Sequence, residues 1–226
     1  MMDQSHDLSA LRIESPPLTL RAMALDRLRR AIISGVFKPG QRLVERSLCE
    51  QLGVSRSVIR EVIRHLDAEG LVTTEGQGPV VSRLSWDDAR QIFEIRAALE
   101  AAAVEACARV ADGAVKARLR QAVDEIETRA GARDWMAVLE ATEAFYDTIF
   151  AEGGHPIAGE IVRRLNGRIA QLRVLTLGSG DRKVTGPRRL RTIFEAIAAN
   201  QPEAAGDACR MHISEACGIA ERLLAE

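Results

Sequence analysis

Cysteine is scarce and scattered in this chain of 226 residues: Cys49, Cys107, Cys209 and Cys217 never fall into C-x-x-C spacing. That excludes a zinc ribbon or a disulfide framework and leaves the four as small core residues in a reducing cytosol. Long hydrophobic runs are missing as well. No apolar run approaches the length that spans a bilayer, and the opening MMDQSHDLSALRIESPP has no apolar stretch of the signal-peptide kind. The expected location is the cytoplasm. A surplus of one charge sign is also absent, since the formal net charge is −1. Overall charge therefore says nothing about a polyanionic partner. G-x-S-x-G, H-E-x-x-H, a Walker loop and a Rossmann glycine pattern are all lacking, so an enzyme in this chain is the weakest reading. The adjacent Asp87 and Asp88 suit the start of a helix, where the dipole favours them, better than acid–base work.

A hydrophobic content of 46% with 28% charged residues suits a soluble globular protein with a real core. The charge is unevenly spread. Residues 18–83 hold 11 Lys and Arg against 7 Asp and Glu, a balance of +4, while 86–226 hold 19 against 22, a balance of −3. A mildly basic N-terminal third points weakly to nucleic acid at that end.

Residues 1–17 read as a loose tail ending in Pro16–Pro17. Leu25, Leu28, Ile32 and Ile33 then recur at helical spacing up to Gly35. Pro39–Gly40 marks a turn, ERSLCEQL a short helix closed by Gly53, and Ser55 the N-cap of a helix over 56–69 that Gly70 ends. LVTTE and VVSRL, separated by GQGP, read as a β-hairpin. Helix, helix, turn, helix, hairpin is the order of a winged helix-turn-helix. Beyond Ser85 the pattern is helical: a long helix from Trp86, then segments over 114–130, 133–151, 157–178, 186–199 and 202–225, parted by glycine and proline. The fold expected is mainly α: a winged helix-turn-helix over 18–84, made of three helices plus a β-hairpin, followed by an all-helical effector-binding and dimerisation bundle over 85–226.

In the helix over 56–69, Arg56, Arg60 and Arg64 share one face and Ile59, Val62, Ile63 and Leu66 the other. A basic outer stripe is by itself an ordinary solvated face. On the second helix of a helix-turn-helix it meets the major groove, and its N-terminal residues reach base edges. Arg56 is placed to pair with guanine, Ser55 and Ser57 to donate to phosphate, and Arg60 to reach phosphate or base. Arg46 on the preceding helix approaches the backbone, and Gln77–Gly78 forms the wing tip. The Gly78 position either makes the turn or allows close approach to the minor groove. Arg64 and His65, deeper along the helix, are assigned structural roles. Trp86 and Trp135 are expected to pack against neighbouring helices, and His155 to cap one.

The run AIISGVFKPGQRLVERSLCEQLGVSRSVIREVIRHLDAEGLV resembles the DNA-binding domain of the GntR family of bacterial transcription regulators. Two departures stand out. Val58–Ile59 replaces the family's Pro-Val, and Val44 replaces a polar residue at the start of the second helix, which leaves that cap weak. The helical remainder resembles the FCD branch of the family, named for the FadR C-terminal domain. The resemblance rests on IRAALEAAAVEACA, EAFYDTIFAEGGHP and IFEAIAANQPEAAGDACRMHI, so that together it covers nearly all of 18–226. It implies a homodimer on a short palindrome of double-stranded DNA, with repression the commoner mode, tuned by a small organic effector.

Many members of that branch hold a divalent metal through one Asp and three His. Here those positions fall at Thr142, Tyr146, Leu190 and His212, so only His212 is kept and no metal cofactor is expected. The effector pocket is still expected between the helices, with Arg96, Tyr146, Arg173 and His212 as its polar groups and an acid as its ligand. Each has a plainer alternative: an Arg96–Glu100 ion pair, a space-filling Tyr146, a surface Arg173, a satisfied buried His212. The competing functions are an architectural DNA binder without an effector and, behind it, an enzyme in the helical part.

Overall fold

The computed structural model describes residues 19–76, 78–178 and 182–224, with the side chains of 75, 178 and 182–185 left aside. The expected tail over 1–17 and Gln77 lie outside the described residues. The N-terminal part runs α1 (Leu20–Ile33), α2 (Glu45–Leu52), α3 (Arg56–Ala68), β1 (Val72–Glu75) and β2 (Gly78–Val81). Thr19 Oγ1 accepts from Ala22 N at 3.2 Å to start α1, and Ser55 Oγ accepts from Val58 N at 3.4 Å to start α3. Such caps satisfy amide groups that a helix start leaves without partners. Val44 stands at the N-cap of α2 with extended backbone and no side-chain bond to the helix. The hairpin pairs Val72 with Val81 and Glu75 with Gly78, so its turn is tighter than GQGP suggests. Arg42 bridges to Val80, which ties the loop before α2 to the wing.

The helical part follows as α4 (Trp86–Val110), α5 (Gly113–Gly131), α6 (Trp135–Glu152), α7 (Pro156–Arg164), α8 (Asn166–Gly178), α9 (Arg182–Ala198) and α10 (Pro202–Leu224). The element order and mainly helical architecture are those expected, with two corrections. The single helix expected over 157–178 is two, because Leu165 interrupts the run between α7 and α8. Helix α9 begins at Arg182 and carries Pro187 inside it, in its second turn, where the missing N–H forfeits one helical hydrogen bond. His155 is the N-cap of α7, but its ring makes no cap bond: Nδ1 lies 2.8 Å from the Gly153 carbonyl oxygen behind it. Trp86 and Trp135 pack against the core as expected. Among the described residues no helix is long and apolar enough to cross a membrane.

Two apolar clusters form. One joins α1, α2, α3 and the hairpin around Leu28, Ile59, Val62 and Leu66; the other fills the helical part around Phe145, Ile149, Leu172 and Ile193. They meet at α6 and α8. Leu139 of α6 belongs to the N-terminal cluster, and Met136, Ala170 and Val174 pack on it. Gly167 at the start of α8 lies so close to the loop after α3 that a Cβ there would stand 2.6 Å from Leu71 Cγ and 3.0 Å from the Glu69 carbonyl oxygen. Only glycine permits that approach. An ion pair between Arg30 and Glu140 spans the same junction at 2.5 Å.

Candidate DNA-binding face and effector cavity

Helix α3 buries Ile59, Val62, Ile63 and Leu66 and turns Arg56, Arg60 and Arg64 outward. The division follows from the four-residue spacing of the arginines. Ser55 and Ser57 lie at the exposed start of the helix with their hydroxyl oxygens 2.9 Å apart. Arg60 Nε donates to Glu45 Oε2 at 3.1 Å, and Arg46 Nε to Glu50 Oε1 at 3.1 Å. Arg46 is 80% exposed and Arg60 61%, so these pairs sit in high dielectric and are worth about 0–1 kcal/mol each. Arg56 has no ion pair among the described residues. Val58, at the family's proline position, is partly buried against the cluster, so the apolar seam survives that change. At the wing, Gly78 has a φ of 114°, which a side-chain-bearing residue rarely adopts. The turn itself thus requires this glycine, whatever approaches it.

In the helical part a cavity of about 30 Å³ lies between α4, α5, α6, α8, α9 and α10. Arg96, Arg173 and His212 line it, as do Thr142 and Leu190, so residues far apart in sequence converge there. Tyr146 stands behind this lining: its hydroxyl lies 3.8 Å from Cys209 Sγ, and the Arg173 guanidinium lies 5.8 Å from its ring centre. Arg96 is fully buried. Its Nε donates to Glu100 Oε1 at 2.7 Å and its Nη2 to Oε2 at 3.2 Å, while its guanidinium also rests 5.7 Å from the Phe93 ring centre. Arg96 thus forms the ion pair with Glu100 and also lines the cavity. Burial alone lowers the Arg96 pKa, but the Glu100 charge and hydrogen bonds outweigh it and hold it above its ordinary value.

Arg173 differs. Among the described residues no carboxylate lies within 4 Å of it, and burial, then the neighbouring Arg96, pull its pKa down to about 10. Burial also drives the Tyr146 phenol well above its usual value and the Cys209 thiol up to about 12, so both are neutral near pH 7. The donor set does not suit a metal. Thr142 Oγ1 is committed to the Val138 carbonyl at 2.7 Å, Leu190 has no donor atom, and His212 is the one imidazole of the four positions. No group of three or more His, Cys, Asp or Glu among the described residues is placed to hold a metal ion. Sequence reasoning missed Thr176 and Leu139 as wall residues. Their signal was only apolar or small-residue periodicity, which does not distinguish a cavity wall from a core.

A winged helix-turn-helix with an outward basic α3, joined to a helical body with a mainly apolar cavity that two arginines line, defines a class of DNA-binding regulators. The FCD domain matches residues 91–215, and the bacterial regulatory proteins of the gntR family match residues 20–81. The chain belongs to the GntR family of transcription regulators and carries an FCD domain. It is 29% identical over 204 residues to an uncharacterized HTH-type transcriptional regulator, YdhC, of Bacillus subtilis, covering 89% of this chain and 91% of that one. An uncharacterized HTH-type regulator of Agrobacterium vitis from the TAR-I ttuE-ttuC' intergenic region is 33% identical over 133 residues, 57% of this chain and 77% of that one. Among solved structures, a candidate GntR regulator from Rhodococcus sp. RHA1 superposes with a TM-score of 0.74 at 26% identity, over 88% of this chain and 96% of that one.

Proposed function

We propose that the chain is a ligand-responsive repressor that binds a short palindromic operator as a homodimer, with 18–84 reading DNA and 85–226 sensing a small organic acid. The observation that carries this is the start of α3: Arg56 is exposed and, among the described residues, free of ion pairs on a helix whose opposite face is locked into the core. In the major groove Arg56 pairs with a guanine edge, Ser55 and Ser57 hold a phosphate at the helix N-terminus, and Arg60 and Arg46 exchange their weak carboxylate partners for phosphates. Gly78, with Gln77 beside it, is the wing's share of the contact. A twofold operator calls for a twofold protein. Ile95, Ala98 and Ala102 leave an apolar stripe on the outer side of α4, with Ile95 38% exposed, and this supports a second copy of the chain packing there.

Signalling follows from the shared wall. Leu139 lines the effector cavity and belongs to the winged domain's cluster; α8 carries Arg173 into the cavity and Gly167 against Leu71. A cavity of about 30 Å³ holds little more than water, so an organic effector must part its walls and move α6 or α8. The ligand then favours one placement of the winged domain over another, which is what an effector must do. Repression relieved by the ligand is the sign proposed, the closed form being the one that grips DNA. The architectural alternative leaves that arginine-lined cavity without a use. The test is binding to genomic fragments at several salt concentrations. Arg56→Ala is expected to lose about 1–3 kcal/mol of discrimination between sites. Arg46→Ala should weaken all sequences alike and reduce the salt slope by about 1. Equal loss of discrimination in both would refute the assignment.

A further inference from the structure

We propose that the effector is a singly charged organic anion with an apolar body, seated on the Arg173 guanidinium without a metal ion. The inference rests on reading the helical part as an effector domain and names the chemistry of its ligand. It starts from the charges facing the cavity. Arg96 is neutralised by Glu100 through two hydrogen bonds, whereas Arg173, half-buried, makes no ion pair among the described residues: the Tyr146 ring lies beside it, and Glu100 and Glu143 act on it only from a distance. Among the described residues the charged groups lining the cavity are thus short of one close negative charge. A half-buried cation without a close counterion favours an anion, and a ligand carboxylate supplies the partner in the geometry a guanidinium binds best, two parallel N–H···O bonds. A second carboxylate on the ligand would find Arg96 already occupied by Glu100.

The rest of the wall sets the ligand's body. Ile126, Val138, Leu172 and Leu190 offer apolar surface, and the Thr142 hydroxyl is turned to its own helix. Few donors remain for the hydroxyl groups of a sugar acid or hydroxy diacid, and such groups would be buried without partners. At two positions where the family resemblance would place metal-ligating histidines this chain has Tyr146 and Leu190, and the cation facing the cavity is Arg173 instead. Aliphatic or aryl-substituted monocarboxylates fit this wall.

Thermal-shift and calorimetric titrations of the full chain test the inference, using octanoate, phenylacetate, citrate and octanamide, each with and without EDTA. Octanoate or phenylacetate is expected to raise Tm in proportion to the logarithm of its concentration, unchanged by EDTA. Citrate and the neutral octanamide are expected not to. Arg173→Gln should weaken the monocarboxylate by roughly thirtyfold or more, and Arg173→Lys, which keeps the charge, by less. If Arg173→Gln does not fold, the Lys variant and the acid–amide comparison decide. Binding that EDTA abolishes, a preference for citrate, or equal affinity for acid and amide would overturn the proposal, as would no shift with either monocarboxylate. Octanamide releasing DNA would sink the ligand class and leave the effector reading standing. If no member of a broad metabolite panel alters Tm or DNA affinity, the effector reading falls with it.

Discussion

Arginine serves two regions of this protein in opposite ways. On α2 and α3 the guanidinium groups are exposed and either unpaired, as Arg56, or held by single surface contacts, as Arg60 with Glu45 and Arg46 with Glu50. In the helical part Arg96 is buried against a buried Glu100, and Arg173 is half-buried beside Tyr146. The same side chain is cheap to redirect in the first setting and expensive to disturb in the second, because water screens one and not the other. A surface built from loosely held cations suits a polyanion that must bind and leave. A buried pair fixes one geometry and makes the remaining cation selective.

The comparison predicts its own largest effect. Glu100→Gln leaves Arg96 buried beside a neutral partner and should cost about 3–5 kcal/mol, read as a fall in Tm or in the denaturant midpoint. Glu45→Gln, which strips Arg60 of its partner at the surface, should change stability by about 0–0.5 kcal/mol and tighten DNA binding slightly by removing a negative charge near the phosphates. Equal destabilisation by the two variants would break the contrast. Next in size is Leu139→Ala. The residue is buried and shared between the cavity wall and the winged domain's cluster, so truncation should cost about 2–4 kcal/mol. It should also blunt the effector's influence on DNA affinity more than it weakens effector binding. Loss of stability with an intact response would place the coupling elsewhere.

Much of this was legible in the chain. The α3 stripe and its apolar seam, the Ser55 cap, the hairpin and the run of helices all follow from local spacing, and local spacing is what sequence displays. Arg96, Thr142, Leu190 and His212 are legible by resemblance, position by position, Arg173 only as a cation on its helix, and all five line one cavity. Tyr146 was placed in the lining but stands behind it, because which side of a buried helix faces a gap depends on how neighbouring helices are set, not on its own periodicity. The break at Leu165 was missed for a related reason. Asn166–Gly167 does mark it, but one such pair inside a periodic run does not by itself separate a tolerated glycine from a turn; here the turn allows Gly167 to reach Leu71, a contact made with the other region of the molecule. The missing counterion of Arg173 was equally out of reach, since a partner is a fact of three dimensions.

The smallest prediction concerns the exposed region alone. Helices α2 and α3 belong to one helix-turn-helix, yet Ser55 caps α3 while Val44 leaves the start of α2 without a side-chain bond. Val44 already has the extended backbone a cap needs, with φ −89° and ψ 107°, and is 55% exposed, so little apolar burial would be lost by replacing it. Val44→Ser should therefore stabilise the protein by about 0.5–1 kcal/mol, a Tm rise of a few degrees at most. Serine is the better choice than aspartate here, because a carboxylate would repel the phosphates proposed to meet Arg46. Ser55→Ala should cost a similar amount from the other side. If Val44→Ser gives no stabilisation while Ser55→Ala destabilises, the amide groups at the start of α2 are already satisfied by solvent at no cost, and the two ends of the motif differ by exposure rather than by capping.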